Sequence, residues 1–444
     1  MKKIILKIIL LFSFLLFAVS HAQQGKLSLD ECVKIALENN PDLIRGEFTV
    51  KIAGRDVTIA LSNFLPKISA SMGYTHVVTG PRSIIFTDPG TGLEIPIKTD
   101  KDISYYSRTG LTVSQSIIKG GYNIFNYRQS RALKKSAEYN FEDTKQNIIY
   151  VVKERYYNLL AAEKLLEVAK ETLLFSEESY KRAEAMFEVG KAPKSDVLKA
   201  KVQLENDRSS FIEAQNNLAV ARASLNHILG FDVDHKIEVV DNLDIPEVEI
   251  SYRDALENAF TSHPALFKRR FDIQASKAGV GMAVSTYLPS LSAYFDYSWT
   301  NEDFSKISSV LKENYTWYAG ISLSVPIFSG FSRFAQLSKA KLMLRSNQEA
   351  LEQAKKDVAL ETKQAYFAVK QAKKKIEVTK DAVEAAQEDL RLNSEKYRLG
   401  SGTMLELIDA QVSVARAKSD HIQAMYEYKK AIARLQKAMG KLER

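Results

Sequence analysis

The sequence predicts an α+β chain built from four very long helices and two pairs of strands long enough to cross a bilayer. Three observations lead there. The 19 Gly and 10 Pro of this 444-residue chain are absent from residues 122–189, 194–229, 331–399 and 403–439, which together hold 210 residues. An even spread would put about 14 of these helix breakers there. Apolar and polar side chains alternate with period 2 ahead of each longer window, as in strands. An internal repeat lays the first half of the chain over the second.

The chain opens with Met1-Lys2-Lys3, an apolar run from Ile4 to Val19 broken only by Lys7 and Ser13, and then Ser20-His21-Ala22. This is the pattern of a secretory signal peptide over residues 1–22, cut after Ala22. No cysteine follows the cut, so no lipid anchor is expected. The single cysteine, Cys32, excludes a disulfide framework and a cysteine zinc site, since each needs at least a pair. Removing Lys2, Lys3 and Lys7 lowers the net charge from +8 to about +5. The basic residues are spread along helices and not gathered with aromatics, so no nucleic-acid partner is expected. No later segment has the roughly 18 consecutive apolar residues of a membrane-spanning helix, so any insertion must use strands.

Ala36-Leu37-Glu38-Asn39-Asn40-Pro41-Asp42-Leu43 recurs as Ala259-Phe260-Thr261-Ser262-His263-Pro264-Ala265-Leu266, an offset of 223 that also carries Phe64-Leu65-Pro66 onto Tyr287-Leu288-Pro289. From Ile117-Ile118-Lys119-Gly120, matching Ile327-Phe328-Ser329-Gly330, the offset is 210, and it holds through Gly190 onto Gly400 and Ala200 onto Ala410. The 13-residue difference is assigned to a loop around Gly80-Pro81, Pro89-Gly90, Gly92 and Pro96. The first repeat spans 23–250, with helices, a hairpin at 67–117, a long helix at 122–189, a return helix at 194–229 and a short segment at 231–250. The second spans 251–444, with helices, a hairpin at 290–327, a long helix at 331–399 and a return helix at 403–439.

In the second hairpin Leu291, Ala293, Phe295, Tyr297 and Trp299 alternate with Ser292, Tyr294, Asp296, Ser298 and Thr300, and Tyr315, Trp317, Ala319, Ile321 and Leu323 alternate with Thr316, Tyr318, Gly320, Ser322 and Ser324. The first places Ile68, Ala70, Met72 and Tyr74, then Tyr105, Leu111, Val113 and Ile117, on its apolar face, against Tyr106, Arg108, Thr112 and Ser114 on the other. Strands of about 9–11 residues cross a bilayer when tilted. Tyr74, Tyr105, Tyr106, Trp299, Tyr315 and Trp317 gather toward the loop ends, as an interfacial girdle does. The alternative reading of the alternation is a small soluble sheet packed on the helices, its polar face meeting water. In lipid, four strands leave two open edges and must oligomerise.

At about 1.5 Å per residue, a helix over 122–189 extends roughly 100 Å and needs packing along its length. Ile148, Val151, Val152, Leu159, Leu166 and Leu173 supply it at three-, four- and seven-residue spacings. The turns Val189-Gly190-Lys191 and Leu399-Gly400-Ser401 place glycine where a helix C-terminus needs a left-handed residue. Thr403 with Glu406 forms a T-x-x-E capping box, and Asp409 lies one turn further on the same helix face.

In this order, with Val325-Pro326-Ile327-Phe328-Ser329-Gly330, Asp196-Val197-Leu198 and Glu406-Leu407-Ile408-Asp409-Ala410, the mature chain resembles the TolC family of outer-membrane efflux proteins. The resemblance implies a trimeric duct: a 12-stranded transmembrane β-barrel, four strands per chain, continuous with a long periplasmic α-helical barrel, and residues 231–250 in an equatorial belt. It implies an outer-membrane location extending into the periplasm of a Gram-negative type envelope. The expected partners are two further copies of the chain, outer-membrane lipid, a periplasmic adaptor (membrane fusion) protein and an inner-membrane pump. Val189, Gly190, Lys191, Leu399, Gly400 and Ser401 become adaptor-docking tips. Glu406 and Asp409 match the two acidic positions ringing the tunnel entrance, with Asp196 beside them. An arginine that locks the entrance in the type member is matched here by Gly402, so that contact does not carry over. The implied function is passive exit from a tripartite efflux or type I secretion system.

No enzyme, cofactor or metal centre is expected. His21, His76, His227, His235, His263 and His421 form no His-Glu-x-x-His, and Gly279-Val280-Gly281 lacks the third glycine of a dinucleotide fingerprint. A non-channel periplasmic coiled-coil protein is the alternative, and it has no use for two matched strand pairs.

Overall fold

The structure, a computed structural model, describes residues 26–241, 249–301 and 315–442. The expected signal peptide, part of the 231–250 segment and the tip of the second hairpin lie outside these residues. In chain order the elements are α1 (Leu29–Asn39), α2 (Pro41–Ser62), β1 (Lys67–Thr79), β2 (Arg82–Thr87), β3 (Glu94–Thr99), β4 (Asp102–Lys119), α3 (Tyr122–Glu188), α4 (Lys194–Leu229), α5 (Tyr252–Ser262), α6 (Pro264–Ser285), β5 (Ser290–Asn301), β6 (Tyr315–Ser324), α7 (Ser332–Arg398) and α8 (Met404–Ala438). Helices α1 and α2 have 11 and 22 residues, and so do α5 and α6. Helices α3 and α7 each have 67.

The extra residues of the first half are not a bare loop. Strands β2 and β3 form a separate antiparallel hairpin that pairs Ile84 with Ile97 and Phe86 with Ile95. Its turn is an Asp88–Gly92 loop in which the Gly90 N–H donates to the Asp88 carboxylate at 2.8 Å and Gly92 takes φ +72°. Pro89, Gly90 and Gly92 mark the turn and Gly80-Pro81 the entry to β2, while Pro96 lies inside β3 opposite Ile85 and the isoleucine-rich runs form the strands.

The chain separates into a helical unit, residues 1–50, 137–268 and 351–444, and a sheet unit, residues 51–136 and 269–350. In the helical unit, Ile148, Ile149, Val152, Tyr156, Leu159 and Leu160 of α3 pack with Leu225 and Leu229 of α4, Tyr426 of α8, and Cys32, Val33 and Ala36 of α1. Each fully buried leucine contributes about 2 kcal/mol. The Tyr156 hydroxyl donates to the carbonyls of Leu27, at 3.2 Å, and Val240. These two carbonyls flank an isolated parallel bridge between Leu27 and Val239.

The sheet unit holds one four-stranded sheet of order β1-β4-β5-β6, antiparallel throughout, with β1 and β6 as open edges. Register aligns one mainly apolar face, running from Ile68, Ala70 and Met72 through Leu111 and Val113 to Phe295, Tyr297, Trp317 and Ile321, with Thr109 and Gln115 of β4 as polar members. The opposite face carries Ser69, Ser71, Thr112, Ser292, Ser322 and Ser324. A bulge between Ser116 and Ile118 corrects the sequence expectation for Ile117. The extra residue takes Ile117 out of the pairing, and Ile118 continues the apolar face opposite Leu291. Strand β6 stops at Ser324 and not at residue 327, because Pro326 has no N–H to give a ladder.

Strand β4 turns into α3 at Gly120, φ +56°, where a Cβ would collide with the Ser285 carbonyl and lie 2.9 Å from Leu288 Cβ. Both the dihedral and the space demand glycine. Gly120→Ala is expected to lower the yield of folded, protease-resistant protein, whereas Gly73→Ala, whose methyl meets no atom within 4 Å, leaves it unchanged. Equal yields would overturn this account of the turn.

Candidate functional site

The two turns that join long helices to return helices repeat each other bond for bond. At the first, the N–H groups of Lys191 and Ala192 both donate to the Met186 carbonyl, at 2.8 and 3.2 Å. At the second, Ser401 and Gly402 both donate to Lys396, at 3.0 and 3.1 Å. Gly190 and Gly400, φ +70° and +77°, supply the left-handed residue of this Schellman closure. The closure turns one side chain per turn outward. Val189 and Leu399 are each 67% exposed, so each turn presents a large apolar residue to solvent. Lys191 and Ser401 are exposed beside them.

Glu406 is the N3 residue of α8. Its carboxylate accepts from the Thr403 N–H at 2.7 Å and from the Thr403 hydroxyl at 3.0 Å, while the Glu406 N–H donates to that hydroxyl at 3.2 Å. These bonds from Thr403, backbone first, hold the Glu406 carboxyl below its ordinary pKa, with Lys396 assisting. Asp409 lies one turn on, exposed. Asp196, in the first turn of α4, is half-buried. Its charge helps burial to push up the pKa of Tyr397, against which Arg182 acts. A side chain at Gly402 would be crowded: a Cβ there would lie 2.9 Å from Lys396 Cβ and 3.2 Å from the Tyr397 nitrogen.

Two groups at this end escape a sequence reading. Tyr397 is 4% exposed, and its buried hydroxyl has no hydrogen-bond partner among the described residues. Its counterpart 210 residues earlier is Phe187, so a hydroxyl that breaks the repeat was the available signal. Asp207, 8% exposed, accepts from Gln203 at 3.0 Å and from Gln411 of α8 at 3.4 Å, and bonds Ser176 of α3. Burial raises its pKa and these bonds oppose the rise. Its counterpart is Ala417. Asp207 lines a groove of about 730 Å³ between α3, α4 and α8, together with Thr172, Glu213 and Arg416.

In the sheet unit, Tyr74, Tyr105, Trp299, Tyr315 and Trp317 share the apolar face. Tyr74 stacks on Tyr105 at 6.1 Å, and Tyr297 meets Trp299 at 4.5 Å and Tyr315 at 5.5 Å. Tyr297, not among the six expected rings, joins Trp299 to Tyr315, while Trp317 stacks on Phe295. Tyr106 pairs with Thr75 and lies on the polar face with Arg108 and Thr112, the face to which its alternation in the sequence assigns it, apart from the other five rings.

A sequence profile described as outer membrane efflux protein matches residues 32–231 and 255–441. The chain is similar to the outer membrane protein TolC of Vibrio cholerae, 22% identical over 419 residues that cover 94% of this chain and 91% of that one. It is similar to the protein CyaE of Bordetella pertussis, 24% identical over 421 residues covering 94% and 85%. Among solved structures it is similar to the CmeC outer membrane channel of Campylobacter jejuni, with a TM-score of 0.81, 21% identity, and coverage of 93% and 86%.

The α8 cap has a pH sign that can be checked. Because Glu406 has a folded pKa below its unfolded value, its contribution is complete above the unfolded pKa and is lost as pH falls through the folded one. Amide protection in the first turn of α8, taken relative to the intrinsic exchange rate at each pH, is expected to fall below the ordinary glutamate range, and Glu406→Gln to remove that dependence. An unchanged acid profile in Glu406→Gln would refute the cap as its source.

Proposed function

Because the chain belongs to the outer membrane efflux protein family, we propose that it is the passive outer-membrane exit duct of a tripartite efflux or type I secretion machine, with no chemistry of its own. The sheet carries this reading. Among the described residues no helix is long and apolar enough to cross a membrane. The four-stranded sheet does have one mainly apolar face, whose Ile68 and Ile321 are 67% and 69% exposed, and one polar face. Lipid against the first and water against the second satisfies both.

The open edges β1 and β6 cannot face lipid, where each unpaired backbone group costs several kcal/mol. Three copies, β6 of each pairing with β1 of the next, close a barrel of about twelve strands, within the known range of membrane barrels. The rings around Tyr297 then form the interfacial girdle. Val189 and Leu399, repeated and exposed, suit docking by an apolar-tipped periplasmic adaptor that connects the duct to an inner-membrane pump.

At the entrance, Glu406 and Asp409 from three copies place six carboxylates around one opening, which favours cations. Glu406 serves there and in the cap at once, since a capping carboxylate keeps its charge. Glu406→Gln with Asp409→Asn is expected to weaken cation selectivity in planar-bilayer recordings across a salt gradient. Reversal potentials that stay at the wild-type value would sink the entrance assignment.

A further inference from the structure

Resting on the duct reading, we propose that Gly320 is a seat for Tyr294, and that this seat holds the tyrosine ring against the channel wall and keeps the exit wide. The polar face of the sheet is built mostly from serine, threonine and glycine, and Tyr294 stands on it in the middle of β5, directly opposite Gly320 of β6. A Cβ at Gly320 would lie 2.5 Å from the Tyr294 Oη, 2.7 Å from Cζ and 3.2 Å from Cε2. Side chains of a sheet ordinarily stand roughly perpendicular to it. This ring instead reaches across to the neighbouring strand and occupies the space where any other residue would carry its side chain.

Glycine within a strand weakens it and often marks a close approach. Here the approaching group is the ring. Tyr318, two residues before Gly320 on the same face, meets Tyr294 edge-on, with centroids 6.1 Å apart and planes at 72°. It closes that flank of the seat. The colliding atoms lie at the far end of a flexible side chain, so a methyl at position 320 moves the ring and not the backbone. With Gly320 filled and Tyr318 at the flank, the ring swings away from the wall into the bore. Gly320 is thus a positioning residue for Tyr294, and the pair sets the width of the passage at this level of the sheet.

The experiment measures polymer exclusion in planar bilayers. Protein is added to one compartment only, where its charged helical unit stays because it cannot cross lipid. Polyethylene glycols of graded size are added to the compartment facing the strand loops, and the largest that lowers conductance reports the bore of the strand portion. Gly320→Ala is expected to shift this cut-off to smaller polymer, and Tyr294→Ser/Gly320→Ala to return it to the wild-type size or above. Wild-type channels with an unchanged cut-off in Gly320→Ala would overturn the inference and leave the duct reading standing. No channel from the wild-type protein would overturn both. If Gly320→Ala alone does not assemble, recovery of assembly in the double variant supports the seat, and failure of both variants overturns it.

Discussion

The backbone groups along two strand edges constrain everything else in this protein. Strands β1 and β6 each present a row of N–H and C=O groups with no partner in the sheet. In water such edges invite aggregation, and in lipid they are untenable. A chain that supplies four strands with one apolar face has therefore accepted dependence on further strands. On the proposed function, the large exposed residues on that face and at the helix turns are surfaces for lipid or a partner, not failures of a core.

The internal repeat is a repeat of backbone geometry before it is one of side chains. Gly120 and Gly121 take φ +56° and +83° where β4 enters α3; Gly330 and Phe331 take φ +58° and +65° at the corresponding place. A phenylalanine tolerates a left-handed conformation there because the turn is dictated on both sides. The two Schellman closures make the same point. Around them the side chains diverge: Tyr397 stands for Phe187, and Asp207 has no acidic counterpart. The halves therefore share a wall and differ in the polar contacts set into it. Asp207 of α4 accepts from the Gln411 amide of α8, which also donates to the Thr172 carbonyl of α3, so one amide ties three helices, whereas the buried Tyr397 hydroxyl has no partner among the described residues.

Much of this was legible in the sequence because the signals are local. A helix continues until glycine or proline stops it, and α3 and α7 end within a residue or two of the breaker-free windows. The capping role of Glu406 follows from a spacing of three, and the split between apolar and polar faces from a spacing of two. The expected loop between β1 and β4 was different, because punctuation by Gly80, Pro81, Pro89 and Gly92 outweighed two short β-branched runs that pair only with each other.

What the sequence determined by itself was the order, lengths and faces of the elements, since propensity and periodicity act over a few residues. Tertiary structure alone decided what depends on register between distant residues. A single bulge at Ser116 and Ile118 moved Ile117 out of the pairing. Folding of α3, α4 and α8 buried Asp207, and the opposition of Tyr294 to Gly320 gave a strand glycine its purpose. None of these pairs is adjacent in the chain, and each contact exists only once the strands or helices have met.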